Sequence, residues 1–566
     1  MNRFLFHFIS YANTHKAQLS ILGIALFYFL FLPIDIMDID AAQYASIARE
    51  MTENGSYLQV YQREADYLDK PPLLFWLASL SFTLFGFTNA AFKFPAVLII
   101  LLGIFSTYKA SRLFYSEKIS LTAMLILAST QAYFLMANDV RTDGILSGFT
   151  IFATWQLLRF SIKQNFQALA LGATGIALAM LSKGPIGAII PLAAVIPHLI
   201  LTRNFKALFN PLWLLLPLIV LLLLSPMLYG LYQQFDLHPE KKVYGLDGPS
   251  GIKFFFWTQS FGRITGDIYW KDDSGPLFFL QSMAWDLQPW FILAIAAVLL
   301  SLYFTGKSLI QHKTIHEAWS LCGFLLPFIA LSSSQFKLPH YVFPLFSFLS
   351  VQIALLFFER FMHLPRLLRL SLCFFQSIPL FAFPILTALI FLFVFTPDPI
   401  FVTLFYLLLA CILYLVYKLY KKPLDRLVYA NIGVAMWCSL FLSLHFYPHL
   451  LRYQGSAQAG KWVSQENIAQ DQFYTVDVHS FSLDFYARRV VPYTPFDQLH
   501  NLPANTYILL SEEAKNKLMQ NHPLAFDIVK KYDQYSVTIL KKEFLLKESR
   551  ANQLKSIFIL KKRNEN

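Results

Sequence analysis

Charge is what this sequence has least of. Asp, Glu, Lys and Arg make up 14% of its 566 residues, against 56% hydrophobic residues and a mean hydropathy of +0.49. No soluble domain of this size needs so much apolar surface, which excludes a water-soluble class. Cysteine is scarce too. Cys322, Cys373, Cys411 and Cys438 lie far apart in apolar segments, show no metal-ligand spacing and read as small core residues. A Gly-rich phosphate loop is missing, as are internal repeats and low-complexity stretches. No small-residue cleavage site follows Leu19 to Pro33, so with its basic flank (Arg3, Lys16) this stretch reads as a retained first span rather than a signal peptide.

What is abundant is Phe, at 57 residues, and apolar runs of about 20 residues, the length of a transmembrane helix. Spans are expected near 17–35, 92–114, 119–137, 143–162, 166–182, 185–203, 210–232, 287–304, 316–333, 339–359, 370–397, 399–419 and 428–447, about thirteen in all. Segment 73–88 is also apolar. If it lies along or dips into the membrane, one side collects Lys109, Arg112, Lys118, Arg159, Lys163, Arg203, Lys307, Arg360, Arg369, Lys421 and Arg426. The positive-inside rule makes that side cytoplasmic. The formal net charge of +12 is thereby accounted for by short loops, and nucleic acid is not an expected partner.

The opposite side then holds loop 36–91, the turns near Asp139, Lys183 and Lys337, the long loop 233–286 and everything after Tyr447. The expected fold class is mainly α: a polytopic membrane domain over 1–447 and a small C-terminal α/β domain over 448–566. Strand-like runs in that tail are Phe473–Val478, Tyr507–Leu510, Tyr535–Leu540 and Ser556–Leu560, with a helix start at Ser511-Glu512-Glu513.

Two polar clusters stand beside the first span. Asp40 opens a helical segment through Met51 that stops near Gly55, and Asp69-Lys70-Pro71-Pro72 sets a lysine on a stiff corner. Carboxylates and a lysine at a bilayer surface are costly, which makes them functional candidates. Each also has a plainer reading. Asp40 with Gln43 forms a capping box, Asp35 and Asp38 can be solvated, and Lys70 can be a snorkelling anchor. Four further sites reach the same side: Asn138 to Asp143, Ser182-Lys183-Gly184-Pro185, Arg263 and Gln335 to Tyr341. Asp139, Arg141 and Asp143 can pair and cap among themselves; His340 and His445 show no metal spacing. Several cations converging on one cavity would bind a phosphate diester or pyrophosphate.

These segments resemble the bacterial polyprenyl-phosphate-sugar-dependent glycosyltransferases of GT-C fold, the lipid A aminoarabinose transferases and the related protein mannosyltransferases. The resemblance covers roughly 30–350 and rests on Asp40-Ala-Ala-Gln-Tyr44-Ala-Ser-Ile-Ala-Arg49-Glu50-Met51, Asp69-Lys70-Pro71-Pro72-Leu73, Arg141-Thr142-Asp143, Leu181-Ser182-Lys183-Gly184-Pro185 and Phe336-Lys337-Leu338-Pro339-His340-Tyr341. It implies that Asp40 is the catalytic carboxylate and that Asp69 and Lys70 belong to the site, with Lys70 on the donor phosphate. It places Asp143 along the cavity and Arg263 and Tyr341 near that phosphate. Lys183 and Lys337 would assist.

Many relatives carry Asp-Glu where this chain has Asp40-Ala41. The missing carboxylate weakens the inference of a divalent metal, for which Asp40 and Asp143 are the candidate ligands; no cofactor is otherwise required. The expected activity is inverting transfer of a sugar from polyprenyl phosphate to lipid A, another glycolipid or a protein, at the outer face of the bacterial cytoplasmic membrane. The alternative is a transporter or flippase of lipid-linked sugars.

Overall fold

The computed structural model describes residues 15–259, 262, 274–521 and 525–563. Arg263 lies outside the described residues. Helices dominate: α1 (Lys16–Phe29), α2 (Asp40–Asn54), α3 (Leu73–Phe85), α4 (Asn89–Ser111), α5 (Glu117–Ala128), α6 (Gln131–Asn138), α7 (Thr142–Lys163), α8 (Phe166–Lys183), α9 (Ile186–Leu201), α10 (Phe205–Asp236), α11 (Phe291–Ile310), α12 (Trp319–Ser332), α13 (Pro339–His363), α14 (Arg366–Phe393), α15 (Pro399–Leu419) and α16 (Pro423–Tyr453). Among the described residues nine of these are long and apolar enough to cross a membrane, ten when α5 and α6, bent by 54°, are taken as one broken span. The chain is an integral membrane protein. The three remaining expected spans are the shorter apolar helices α1, α9 and α12. Helix α3 has 13 residues. At about 1.5 Å per residue it reaches roughly 20 Å, less than a bilayer core, as do α1 and α12, each one residue longer.

Burial sorts centre from periphery. The apolar stretch of α13 is 89% buried and that of α7 78%, whereas α15 is 11% buried and leaves Leu404, Leu407, Leu415 and Leu419 exposed. At the centre α4 and α7 nearly touch through glycine. A Cβ on Gly148 would stand 2.3 Å from the Ile99 carbonyl oxygen, and one on Gly103 would stand 2.8 Å from the Gly148 Cα. Small residues permit that approach, and van der Waals contact between the backbones then fixes α7 against α4.

Helices α7 and α8 form an antiparallel hairpin. Gln164 ends α7 in the left-handed region (φ 49°), and the Asn165 side chain accepts the Ala168 N–H to start α8. The hairpin returns the end of α8 to the level where α7 began, so Asp143 and Lys183 meet at one end of the bundle. The two-residue strand pair β1 (Tyr61–Gln62) and β2 (Ala65–Asp66) lies in the loop after α2, and β3 (Lys242–Val243) with β4 (Leu246–Asp247) in the loop after α10.

The tail carries α17 (Gly455–Gln465), β5 (Phe473–Thr475), α18 (Phe481–Tyr486), β6 (Tyr507–Ser511), α19 (Glu512–Asn521), β7 (Phe526–Gln534) and β8 (Lys555–Lys562). The sheet order is β5-β6-β8-β7, parallel between β5 and β6 and antiparallel elsewhere. Alternation serves both faces. Leu509, Ile557 and Ile559 join Trp462 and Leu483 on one side. Ile508, Leu510, Phe558 and Leu560 join Leu518 of α19 on the other. Ser511 Oγ accepts the Ala514 N–H at the start of α19.

One expected strand moves. The pairing partner of β8 is Phe526–Gln534, not Tyr535–Leu540. Within residues 535–540, Val537 is buried in the cluster formed by the ends of α14 to α16, and Tyr535 stacks on Phe544 with ring centroids 3.7 Å apart, while Ile539 and Leu540 are exposed.

Candidate active site

The site lies at the end of the bundle where α2, α7, α8 and the start of α13 converge. Asp40, Asp69, Lys70, Asp143, Lys183 and Tyr341 line one cavity of about 220 Å³, together with Gln43, Tyr44, Arg141, Phe336, Leu338 and His340. Six of the eight residues expected in the site are thus brought together. Lys337 is not among the lining residues: it is buried, and its Nζ donates to the Ser274 carbonyl oxygen at 2.9 Å.

Each charged group is placed by its element. Asp40 is the first residue of α2 but caps nothing. Its carboxylate instead accepts the Arg141 Nη1 at 2.5 Å, and Gln43 turns to the Gln62 side chain at 2.9 Å. The expected capping box is therefore not formed, because a guanidinium on another element outcompetes the free amides of α2. Gly55 ends α2 with φ 67°, as its position predicts. Arg141 is itself fixed by Asp139, whose Oδ2 accepts from Nε at 2.7 Å. Burial opposes the charge on this guanidinium, but Asp139 and Asp40 outweigh it, and its pKa is raised.

Asp143 stands in the first turn of α7 and Lys183 in the last turn of α8, so each is favoured by its own helix dipole. They form an ion pair, and His340 Nε2 approaches the second Asp143 oxygen at 3.7 Å. Lys183 Nζ also sits 4.0 Å from the centre of the Tyr341 ring. Lys70 Nζ donates to Asp69 Oδ2 at 2.5 Å, and the prolines behind it lead into α3. The Asp69 carbonyl oxygen accepts from the Gln259 side chain, which ties this corner to the loop after α10. Lys70 also borders a second, small cavity of about 20 Å³, lined further by Leu58, Tyr67, Met227, Gln234, Phe255 and Gln259.

Arg141 and His340 were visible in the sequence only as neighbours of Asp143 and Tyr341; their place in the cavity depends on α7 and α13 standing side by side. Among the described residues no group of three His, Cys, Asp or Glu side chains is placed to hold a metal ion. Asp40 and Asp143 are each already engaged by a basic side chain, so this pair does not fit a divalent cation without rearrangement.

Asp38 is not a solvated loop residue. Its carboxylate accepts from Ser480 Oγ at 2.5 Å and from Ser482 Oγ at 2.9 Å, and burial raises its pKa against those bonds. Asp35 pairs with Lys461 at 2.6 Å.

The family of dolichyl-phosphate-mannose-protein mannosyltransferases matches residues 69–229. The undecaprenyl phosphate-alpha-4-amino-4-deoxy-L-arabinose arabinosyl transferase 2 of Proteus mirabilis is 24% identical over 353 residues, 60% of this chain and 60% of its own length. The corresponding transferase of Edwardsiella ictaluri is 26% identical over 341 residues, 58% of this chain and 57% of its own. The chain thus matches less than two thirds of these relatives' lengths. The crystal structure of ArnT from Cupriavidus metallidurans bound to undecaprenyl phosphate superposes with a TM-score of 0.69 at 16% identity, covering 96% of this chain and 98% of that one. The chain is thus similar in sequence to the protein mannosyltransferases over residues 69–229 and to the aminoarabinose transferases over about 60% of its length, and over nearly all of its length it has the GT-C fold.

Proposed function

We propose that the protein is an inverting glycosyltransferase that takes a sugar from a polyprenyl phosphate, undecaprenyl phosphate by analogy with its relatives, to lipid A or a similar envelope acceptor. The observation that carries this reading is a carboxylate and two lysines lining one cavity: Asp40, held by Arg141, with Lys70 and Lys183. The sidedness of Lys and Arg supports a site on the outer face.

In this reading the acceptor hydroxyl gives its proton to Asp40 while its oxygen attacks the anomeric carbon. The bond from that carbon to the phosphate oxygen breaks, and the polyprenyl phosphate leaves with the electron pair. Lys70 and Lys183 stabilise the charge that collects on the phosphate. No step calls for a metal or another cofactor.

The test is purified protein in nanodiscs with polyprenyl-phosphate sugar and lipid A, read by mass spectrometry. A glycosylated acceptor formed by the wild-type protein and lost in Asp40→Asn supports the enzyme. Carrier movement across the membrane without product supports a transporter instead; a site at the end of the bundle fits that role poorly, because transporters bind near the midplane.

A further inference from the structure

We propose that the C-terminal α/β domain is part of the catalytic apparatus: Ser480, Ser482 and Gln454 are positioning residues that hold the segment leading into α2 and so set where Asp40 stands. This rests on the role given to Asp40 above.

The segment concerned is 35–38, between the first span and α2, and residues of the tail engage it group by group. The Gln454 side chain behaves like a strand neighbour. Its Oε1 accepts the Asp38 N–H at 2.7 Å, and its Nε2 donates to the Ile36 carbonyl oxygen at 3.1 Å. The Ile36 N–H donates to the Tyr486 hydroxyl at 2.9 Å. Ser480 and Ser482 close on the Asp38 carboxylate, and the Ser482 N–H adds a third bond at 3.2 Å. Asp40 follows two residues later.

A second fastening lies along α2 itself. Ser46 Oγ donates to the Phe481 carbonyl oxygen at 2.9 Å, and Arg63, in the loop after α2, pairs with Asp484 at 2.9 Å and donates to the Val491 carbonyl oxygen at 2.7 Å. Arg141 grips Asp40 from the membrane side and the tail grips the approach to α2 from the other. Bonds to backbone amides and to a charged carboxylate fix position better than apolar contact does, because each has a direction. A catalytic carboxylate displaced by about 1 Å loses much of its effect.

The test compares Ser480→Ala/Ser482→Ala, Gln454→Met and the conservative Ser480→Thr with the wild-type full chain in nanodiscs. Hydrogen exchange over residues 36–50 and steady-state transfer are measured on the same samples. The expected result is faster exchange in the double variant and in Gln454→Met, with kcat lower by roughly ten- to a hundredfold and donor KM unchanged. Ser480→Thr, which keeps the hydroxyl, should stay near wild type in both measurements. Unchanged exchange in both disrupting variants overturns the tie, whatever the activity. Faster exchange with unchanged kcat overturns the positioning role. A wild-type protein that transfers no sugar overturns the reading of Asp40 instead, while the exchange comparison still decides whether the tail holds this segment.

Discussion

Arg141 donates from Nη1 to Asp40 Oδ2 at 2.5 Å while its Nε is held by Asp139, so the position of the proposed base is set by a guanidinium one hundred and one residues away in sequence. A base and its holder act as a unit, and units respond non-additively to mutation. Asp40→Asn should lower turnover by at least about a hundredfold, the usual scale for a lost general base. Arg141→Ala should lower it by a smaller factor, and the double variant should be no worse than Asp40→Asn alone. Multiplicative losses in the double variant would separate the two residues.

Lys70 meets Asp69 at the cavity edge, and two prolines behind it fix its place. A lysine anchor would accept arginine, since either side chain can snorkel. A phosphate ligand in a shaped cavity would not. Lys70→Ala and Lys70→Arg should both weaken donor binding, by roughly 1.5–3 kcal/mol for one charge-assisted contact. Equal donor affinity in all three proteins would remove Lys70 from the phosphate site.

The Asp143–Lys183 pair is buried, with side chains 3% and 12% exposed. Removing one partner of such a pair strands the other charge, at a cost of about 3–5 kcal/mol. Lys183→Met should therefore lower the melting temperature in detergent. Adding Asp143→Asn to it should restore much of the loss while leaving the enzyme inactive.

Between the tail and α2 lie two acids with raised pKa values: burial pushes Glu50 up to about 7, against the pull of Arg49, and Asp484 up to about 6, against that of Arg63. An acid that keeps its proton longer when folded stabilises most at low pH. That contribution fades as pH climbs from the unfolded value near 4 through the folded one. Thermal stability should fall between about pH 5 and about pH 7, and Glu50→Gln should flatten that slope. A wild-type melting temperature rising across this range would contradict the assignment.

Sidedness has its own check. In a background without native cysteines, Ala65→Cys and Glu513→Cys should both react with an impermeant thiol reagent from outside. Lys421→Cys should react only after the membrane is opened. Opposite labelling of the first two would make α3 a crossing helix.

The sequence was legible where chemistry is local. The stop at Gly55, the Lys70-Pro71-Pro72 corner and the hairpin joining Asp143 to Lys183 all follow from neighbouring residues or from helix length. It was opaque where partners are distant. Solvation stood open as a reading of Asp38 because Ser480 and Ser482 lie more than four hundred positions away. Lys337 shares its motif with Tyr341, yet it turns to the Ser274 carbonyl oxygen, a choice no spacing rule contains. Tyr535 to Leu540 reads as a strand, yet Val537 alone of it is buried and Ile539 and Leu540 stay exposed, so the apolar alternation marks no second strand face.

The tie between Asp38 and Gln454 spans 416 positions of chain. Ribosomes add about 5–20 residues per second, so the first outer loop waits roughly twenty seconds to over a minute for its partner to be made. Through that interval Asp38 and the Ile36 backbone can be satisfied only by water. The protein therefore reaches the membrane long before it can reach its working form, and completion of the tail becomes the event that switches the loop from hydrated to held.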